Sequence, residues 1–176
     1  MASSCHPICA AEAYKSVAAA TNQQEENEMR LVVGSDHAGW SLKKAVIDHV
    51  RSLGHEVVDV GSYDENPVDF PDIARAVAGK IISGEAARGI MVCGTGVGAS
   101  IAANKMKGIR AAVCHDVHSA HQSVEHDDVN VMCIGAQIIG SWLAKDLIAS
   151  YLSAEFSTHE DFRRRVEKLR VMDEEG

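Results

Sequence analysis

The chain is short of positive charge. It carries 17 Lys and Arg residues against 25 Asp and Glu residues, which gives a formal net charge of −8. Domains that bind nucleic acid usually carry a basic stripe and a high pI, so this charge balance argues against a nucleic-acid partner. It does not argue against a small anionic substrate, because a few local arginines are enough to hold one.

Two further features are missing. The sequence has no apolar run that approaches the roughly 20 residues of a membrane span, so we expect no membrane partner. Its five cysteines, at positions 5, 9, 93, 114 and 133, have no paired spacing typical of metal ligands. An odd number of cysteines, three of them in strand-like settings, favours a reducing compartment, and we expect a cytoplasmic protein.

The 176 residues are enough for one domain with a sizeable core. Residues 1–28 are rich in Ala, Ser, Gln and Glu without a hydrophobic period, and we expect a disordered extension there. An organelle-targeting role for this extension is disfavoured, because it holds several glutamates and no arginine. We assign residues 29–154 to the domain and residues 155–176 to a charged helix that packs on the domain or on a dimer partner.

Short apolar runs alternate with helical patterns after residue 29. Strands are predicted at residues 30–34, 56–60, 90–93, 109–114 and 129–134, and helices at about 39–53, 73–82, 99–105 and 138–152. Residues 115–126 are compatible with a polar helix or a loop. This alternation predicts a Rossmann-like, doubly wound α/β fold, with a five-stranded, mainly parallel sheet covered by helices on both faces.

The most informative stretch is residues 89–105, in which a buried strand ends at Cys93 and runs through glycines 94, 96 and 98 into a helix. The glycines let the backbone approach a ligand, while free N–H groups and the helix dipole favour an anion. Cys93 lies at the edge of this site. A thiol beside a helix N-terminus tends to have a lowered pKa, so we expect Cys93 to serve as a nucleophile or a base.

Other polar residues follow strand ends. Because right-handed crossovers bring the C-terminal ends of parallel strands to one edge, we expect these residues to converge on one crevice. They are Asp36, His37, Cys93, Thr95, His115 and Asp116. A charged pair such as Asp36-His37 at the end of a central strand is unusual unless it lines a pocket.

The glycine turn also fits a different function. Residues 94–99 match the G-x-G-x-x-G/A dinucleotide pattern, and Asp116 follows Gly94 by 22 residues, where an acid that binds ribose is expected. A nicotinamide-dependent oxidoreductase is therefore an alternative. Against it, this turn follows the third strand rather than the first, and Cys93 would have no use there.

The histidines allow a second alternative. His115, His118 and His121 would lie on neighbouring turns of a helix, where a metal site is conceivable, although solvated histidines are commoner. His126 precedes two aspartates just before a strand, which suits acid–base chemistry and equally suits a solvent-facing helix end. The basic run at 163–165 is likewise either a solvated helix face or a phosphate clamp.

Taken in chain order, several segments closely resemble the ribose-5-phosphate isomerase B family, which includes galactose-6-phosphate isomerase subunits. They are Gly34–Gly39, Asp69–Asp72, Val92–Gly98, Ile101–Lys105, Gly108–Arg110 and His126–Asn130. The resemblance implies an aldose–ketose isomerase of phosphorylated sugars, with ribose 5-phosphate as the expected substrate. It also implies no metal or cofactor, and a homodimer or pair of dimers whose active site is shared between subunits.

The resemblance further implies residue roles. Cys93 is the base that moves a proton between two carbons, and the 94–98 turn with Thr95 stabilises the enediolate. His126 opens the sugar ring, Asp36 contacts a hydroxyl, and His37 and Arg165 contact phosphate. Further substrate contacts are expected from Gly94, Gly96, Val97, Gly98, Ser100, Asn104, Asp127, Phe70 and Arg164.

Three positions depart from the family's pattern. Asp127 stands where relatives often have Asn, Phe70 where Tyr is common, and Gln137 where several members have Arg. These changes leave the base and the anion site intact but alter the surroundings of the substrate. A non-catalytic protein that binds sugar phosphates is therefore a further alternative.

Overall fold

The computed structural model describes residues 28–175. The expected extension at 1–28 lies outside the described residues except for Glu28. Within them, five strands alternate with helices, and a sixth helix follows the last strand–helix pair. The elements are β1 (Arg30–Ser35), α1 (Trp40–Ser52), β2 (Glu56–Gly61), α2 (Phe70–Ile82), β3 (Arg88–Cys93), α3 (Val97–Ala103), β4 (Ala111–Val113), α4 (Val117–Asp127), β5 (Val131–Gly135), α5 (Ser141–Ser153) and α6 (Glu160–Glu175).

The strands form one sheet in the order β2-β1-β3-β5-β4, and every neighbouring pair is parallel. The predicted Rossmann-like architecture is confirmed, and the sheet is wholly rather than mainly parallel. The stretch after β4, for which the sequence is compatible with a helix or a loop, is the helix α4. The predicted fourth strand is wrong in length, because only Ala111–Val113 pairs with β5.

Side chains that alternate along the strands pack into two cores, one on each face of the sheet. One core joins the sheet to α1, α4 and α5 through residues such as Val33, Val46, Val124 and Leu147. The other joins the opposite face to α2 and α3. Burial of both faces explains why the strands are nearly continuous apolar runs, as is usual for parallel sheets.

The connections change direction between β1 and β3. These strands are neighbours, yet the helices that follow them, α1 and α3, lie on opposite faces of the sheet. A crevice opens at such a switch point beyond the carboxyl ends of the strands, and ligands of open α/β sheets bind there. Asp36 follows β1 and Cys93 ends β3, so the fold brings these two residues to the switch point.

The C-terminal helix α6 packs against α4 of its own chain. Val166 is buried there, and the carboxylate of Asp173 accepts a hydrogen bond of 2.8 Å from the backbone N–H of Gly108. None of the helices found in residues 28–175 is both long and apolar enough to cross a membrane.

Candidate active site

The thiol of Cys93 donates a hydrogen bond to Asp36. Its Sγ lies 2.8 Å from Oδ2 of Asp36, and both residues are buried. The other carboxylate oxygen, Oδ1, accepts a hydrogen bond of 2.9 Å from the backbone N–H of Gly39. The carboxylate is therefore held at both oxygens and faces the thiol.

Close packing of Gly39 explains how Asp36 reaches Cys93. A Cβ atom at position 39 would lie 2.0 Å from the carbonyl oxygen of Val92, far inside any allowed contact. The turn after β1 thus rests directly on the backbone of β3, which only a glycine permits. This contact sets the distance between the carboxylate and the thiol.

The turn after Cys93 brings backbone donors to the sulfur. Gly96 has a φ of 78°, in the left-handed region that favours glycine, and it precedes the first residue of α3. The nearby backbone N–H groups of Gly94 and Gly96 favour the thiolate of Cys93 and oppose the rise in its pKa that burial causes.

These donors do not decide the ionisation of Cys93. Burial raises the pKa of the thiol, and both the hydrogen bond to the Asp36 carboxylate and the negative charge of that group raise it further. The net direction is upward, so the lowered pKa expected from the sequence is wrong. The helix terminus is outweighed because the thiol is desolvated and faces a carboxylate from a neighbouring strand.

Several predicted substrate contacts surround this pair. Thr95 is exposed on the turn, and the ring of Phe70 lies against Gly98, 3.0 Å from where a Cβ atom of residue 98 would be. His37 is exposed, and its Nδ1 accepts a hydrogen bond of 3.2 Å from the backbone N–H of Val68. The side chain of Gln137 lies close to the backbone at Gly94.

The residues after β4 have other partners. Nε2 of His115 accepts a hydrogen bond of 3.1 Å from the backbone N–H of Gly135. Asp116 caps α4, and its oxygens accept from the N–H and the hydroxyl of Ser119 at 2.8 and 2.6 Å. These hydrogen bonds lower the pKa of Asp116. A carboxylate engaged at both oxygens is poorly placed to bind a ribose, which weakens the nicotinamide alternative.

The three histidines of the metal alternative make separate contacts. His121 lies 3.7 Å from the carboxylate of Glu125, whereas His115 points to β5. Across residues 28–175, no three His, Cys, Asp or Glu side chains form a group that could hold a metal ion.

His126 lies at the other edge of the sheet. Because α4 follows β4, it runs back over the sheet, and its 11 residues span about 16 Å. The His126 ring stacks on Phe162 of α6, with centroids 3.9 Å apart and planes 12° apart. Within one chain, therefore, His126 and Cys93 are not brought together.

The other residues expected beside His126 share its location. Asp127 ends α4, and Arg164 pairs with Asp161 at 2.7 Å on α6. The guanidinium of Arg165 lies 5.6 Å from the centre of the Phe162 ring. One chain thus carries two separate groups of predicted site residues, one at each edge of the sheet.

Two predicted contacts belong to neither group. Asn104 exchanges hydrogen bonds with the backbone of Ala111, donating and accepting at 2.8 Å, and Ser100 donates to the same carbonyl at 3.2 Å. Ala111 begins β4, so these side chains hold the start of a strand. As substrate contacts they stay predictions.

Sequence reasoning missed Lys43, whose side chain is 1% exposed. A lysine on a helix is normally expected at the surface, so the pattern of α1 does not single it out. The available signal was its position next to Leu42 on the inner stripe of that helix.

Comparisons with known proteins show the family to which the chain belongs. The profile of the family described as Ribose/Galactose Isomerase matches residues 31–169. Ribose-5-phosphate isomerase B of Escherichia coli K12 is 39% identical over 145 residues, which cover 82% of this chain and 97% of that protein. The D-erythrulose-4-phosphate isomerase of Pectobacterium atrosepticum is 43% identical over 131 residues, covering 73% and 85%.

A solved structure agrees as well. The ribose-5-phosphate isomerase B of Clostridium thermocellum is similar with a TM-score of 0.81 and 42% identity, covering 84% of this chain and 99% of that chain. Since the profile spans most of the chain and the fold agrees over the same length, the chain belongs to the ribose/galactose isomerase family of sugar-phosphate isomerases.

Proposed function

We propose that this protein is an aldose–ketose isomerase that interconverts ribose 5-phosphate and ribulose 5-phosphate, with Cys93 as the base. The observation that carries the proposal is the 2.8 Å hydrogen bond from Cys93 to Asp36 beside the glycine turn. Isomerisation through an enediolate needs a base next to the carbon acid and N–H donors near the oxygen that becomes negative. Cys93 and the N–H groups of the 94–98 turn are our candidates for these two roles.

The raised pKa of Cys93 requires a partner that takes its proton. Asp36 accepts it along the existing hydrogen bond, and the N–H groups of Gly94 and Gly96 stabilise the thiolate as it forms. The thiolate then removes the proton from C2 of the aldose, a proton passes from the C2 hydroxyl to the C1 oxygen of the enediolate, and the Cys93 thiol returns its proton to C1 to give the ketose. Water exclusion at this buried position strengthens each of these interactions.

Ring opening and phosphate binding need a second chain. His126 and Arg165 lie at the edge of the sheet opposite Cys93, so we infer a homodimer in which each site joins Cys93 of one chain to His126 of the other. Two apolar side chains next to the glycine turn support a covering partner: Val97 is 51% exposed and Ile101 is 58% exposed.

The substrate is the least constrained part of the proposal. The Pectobacterium relative is named for D-erythrulose 4-phosphate, a shorter sugar phosphate that needs no ring opening. Isomerisation of that class of substrate is therefore a second candidate function. Phe70 in place of the usual Tyr and Gln137 in place of Arg both lie at the glycine turn, where they would alter hydroxyl and phosphate contacts.

We also infer a cytoplasmic location. Cys93, Cys114 and Cys133 are free, buried thiols, which suits a reducing compartment.

The decisive experiment is the conversion of ribose 5-phosphate to ribulose 5-phosphate by purified protein in the presence of a metal chelator. We expect turnover by the wild type, and a loss of about 10³-fold or more in Cys93→Ala with an unchanged melting temperature. D-erythrulose 4-phosphate and galactose 6-phosphate are assayed in parallel to rank substrates. A folded wild type that is stabilised by sugar phosphates but turns over none of them would make it a binding protein instead.

A further inference from the structure

Lys43 is a buried cation outside the site described so far. It belongs to α1, and its ammonium donates hydrogen bonds of 2.8 Å to Oδ1 of Asp59 on β2 and 2.6 Å to the carbonyl of Ser62. The ammonium also lies 4.5 Å from the ring centre of Tyr63 and 5.2 Å from that of Trp40. The cation is therefore enclosed by a carboxylate, a carbonyl and two aromatic faces.

Stability alone does not call for a lysine at this position. Taking an ammonium group out of water is costly, and an apolar side chain of similar size often serves stability as well as a buried ion pair does. What an ion pair with a backbone acceptor adds is a fixed geometry. The acceptor here, Ser62, is the first residue of the loop between β2 and α2.

This loop, residues 62–69, passes beside one of the proposed substrate contacts, His37, near its far end. Its start is held by Lys43 and by a hydrogen bond of 2.8 Å from the N–H of Ser62 to the carbonyl of Ser35. Near its end, the N–H of Val68 donates to Nδ1 of His37. Because Nδ1 accepts, the other ring nitrogen of neutral His37 carries the proton and is a donor, as a phosphate oxygen requires.

We propose that Lys43 is a positioning residue for substrate binding, which fixes the 62–69 loop so that Val68 holds the His37 ring in its donor form. The proposal rests on the proposed function, in which His37 binds the phosphate group. Lys43 itself acts through the loop and is too enclosed to serve as a substrate contact.

The test compares Lys43→Met with Lys44→Met, its neighbour on α1, which is 81% exposed and pairs with Asp48. We expect Lys43→Met to raise KM for ribose 5-phosphate about tenfold, since the hydrogen bond from the His37 ring to the charged phosphate group is lost. The value of kcat should change by less than about twofold. Lys44→Met should leave both constants unchanged. A fall in kcat of Lys43→Met as large as the rise in its KM, or an unchanged KM, would overturn the proposal.

A double variant shows whether Lys43 acts through His37. In a His37→Ala background, Lys43→Met should raise KM no further, because the ring that the loop positions is gone. A full additional increase would contradict the proposed route. If Lys43→Met does not fold, Tyr63→Leu removes one aromatic face at an exposed position, and it should raise KM about threefold. An unchanged KM in Tyr63→Leu would likewise overturn the proposal.

Hydrogen exchange separates this idea from the proposed function. The amide of Val68 should exchange faster in Lys43→Met than in Lys44→Met, and this readout requires no turnover. If the wild type has no isomerase activity but Val68 still exchanges faster in Lys43→Met than in Lys44→Met, the proposed reaction is contradicted. The role of Lys43 in holding the loop is then retained. Equal exchange in the two variants would reject that role.

Discussion

The two edges of the sheet carry two unlike groups of site residues. At the C-terminal edge, Cys93 and Asp36 are buried, 2.8 Å apart, and fixed by glycine turns whose geometry belongs to the fold itself. At the N-terminal edge, His126 and Arg165 project from helices, and the His126 side chain is held mainly by a stacking contact with Phe162. The proposed base and its carboxylate are thus built into the switch point, whereas the groups proposed for ring opening and phosphate binding lie on a surface that a second chain can approach.

The largest expected effect comes from mixing two variants that are each inactivated by a substitution at a different edge of the sheet. Cys93→Ala and His126→Ala should each be nearly inactive alone, with losses of about 10³-fold and 10²-fold. After subunit exchange in equal amounts, half of the dimers are mixed, and each mixed dimer keeps one intact site. Turnover should therefore recover to about a quarter of the wild-type value.

The matched control mixes Cys93→Ala with Asp36→Asn, two variants whose inactivating substitutions lie at the same edge of the sheet. Every site of every dimer then lacks one of the two residues, so no recovery is expected. Absence of recovery in the first mixture, once exchange is verified by native mass spectrometry, would place His126 outside the shared site.

The second prediction concerns Asp36 within the buried group. Asp36→Asn keeps an oxygen for the N–H of Gly39 but offers the thiol an amide donor in place of an acceptor. The pKa of Cys93 should fall by about one unit or more, while turnover falls about a hundredfold because the proton acceptor is lost. Thiol alkylation as a function of pH measures the first effect and the isomerase assay measures the second.

Asp72→Asn, at an exposed carboxylate on α2, is the control for that substitution and should change neither quantity. A thiol whose pKa stays high in Asp36→Asn would mean that burial alone sets it.

Alkali should affect the buried core and the His126 edge of the sheet differently. Burial raises the pKa of the Cys133 thiol above its ordinary value of 9.0 and raises the pKa of the Tyr151 hydroxyl. The folded state therefore favours the protonated forms, and their stabilisation is complete below the unfolded pKa and lost as pH rises toward the folded one. Each such group should cost about 1.4 kcal/mol of unfolding free energy per pH unit within that window.

Urea unfolding at about pH 8 and about pH 10 measures this loss. Cys133→Val removes one titrating group from the core and should give a shallower decline, whereas His126→Ala at the exposed edge should leave the slope unchanged. A slope that does not differ between Cys133→Val and the wild type would show that other groups control alkaline unfolding.

The smallest effect is expected from the stacking contact. Phe162→Leu keeps an apolar side chain on α6 but loses the ring face beneath His126, so turnover of ring-closed substrate should fall about threefold. Phe156→Leu, whose ring lies beneath Arg163 instead, is the matched control. An equal loss in both variants would point to a general change in α6 rather than to the position of His126.

The sequence correctly predicted the architecture and the proximity of Asp36 to Cys93. Alternating strands and helices are enough to bring Asp36 and Cys93 to the same edge, because the chain direction of parallel strands is fixed by right-handed crossovers. The ionisation of Cys93 could not be predicted in the same way. It depends on the contact between neighbouring strands β1 and β3, which puts a carboxylate beside the thiol and outweighs the local helix terminus.

Lys43 and His126 show two other limits. A lysine counts as polar in any periodicity analysis, so its burial against Asp59, Ser62 and two aromatic rings becomes visible only with the tertiary structure. The position of His126 follows from the direction of α4, but the sequence before β5 is compatible with either a helix or a loop. Once α4 is a helix, its last turn must lie at the edge opposite Cys93.

The separation of Cys93 from His126 within one chain has a consequence for how the enzyme responds to dilution. If each complete site requires two chains, the number of sites is set by mass action and not by the amount of protein alone. Specific activity should then be constant at high concentration and fall in proportion to concentration once dimers dissociate, and substrate should shift the midpoint because the proposed contacts are complete only in the paired form.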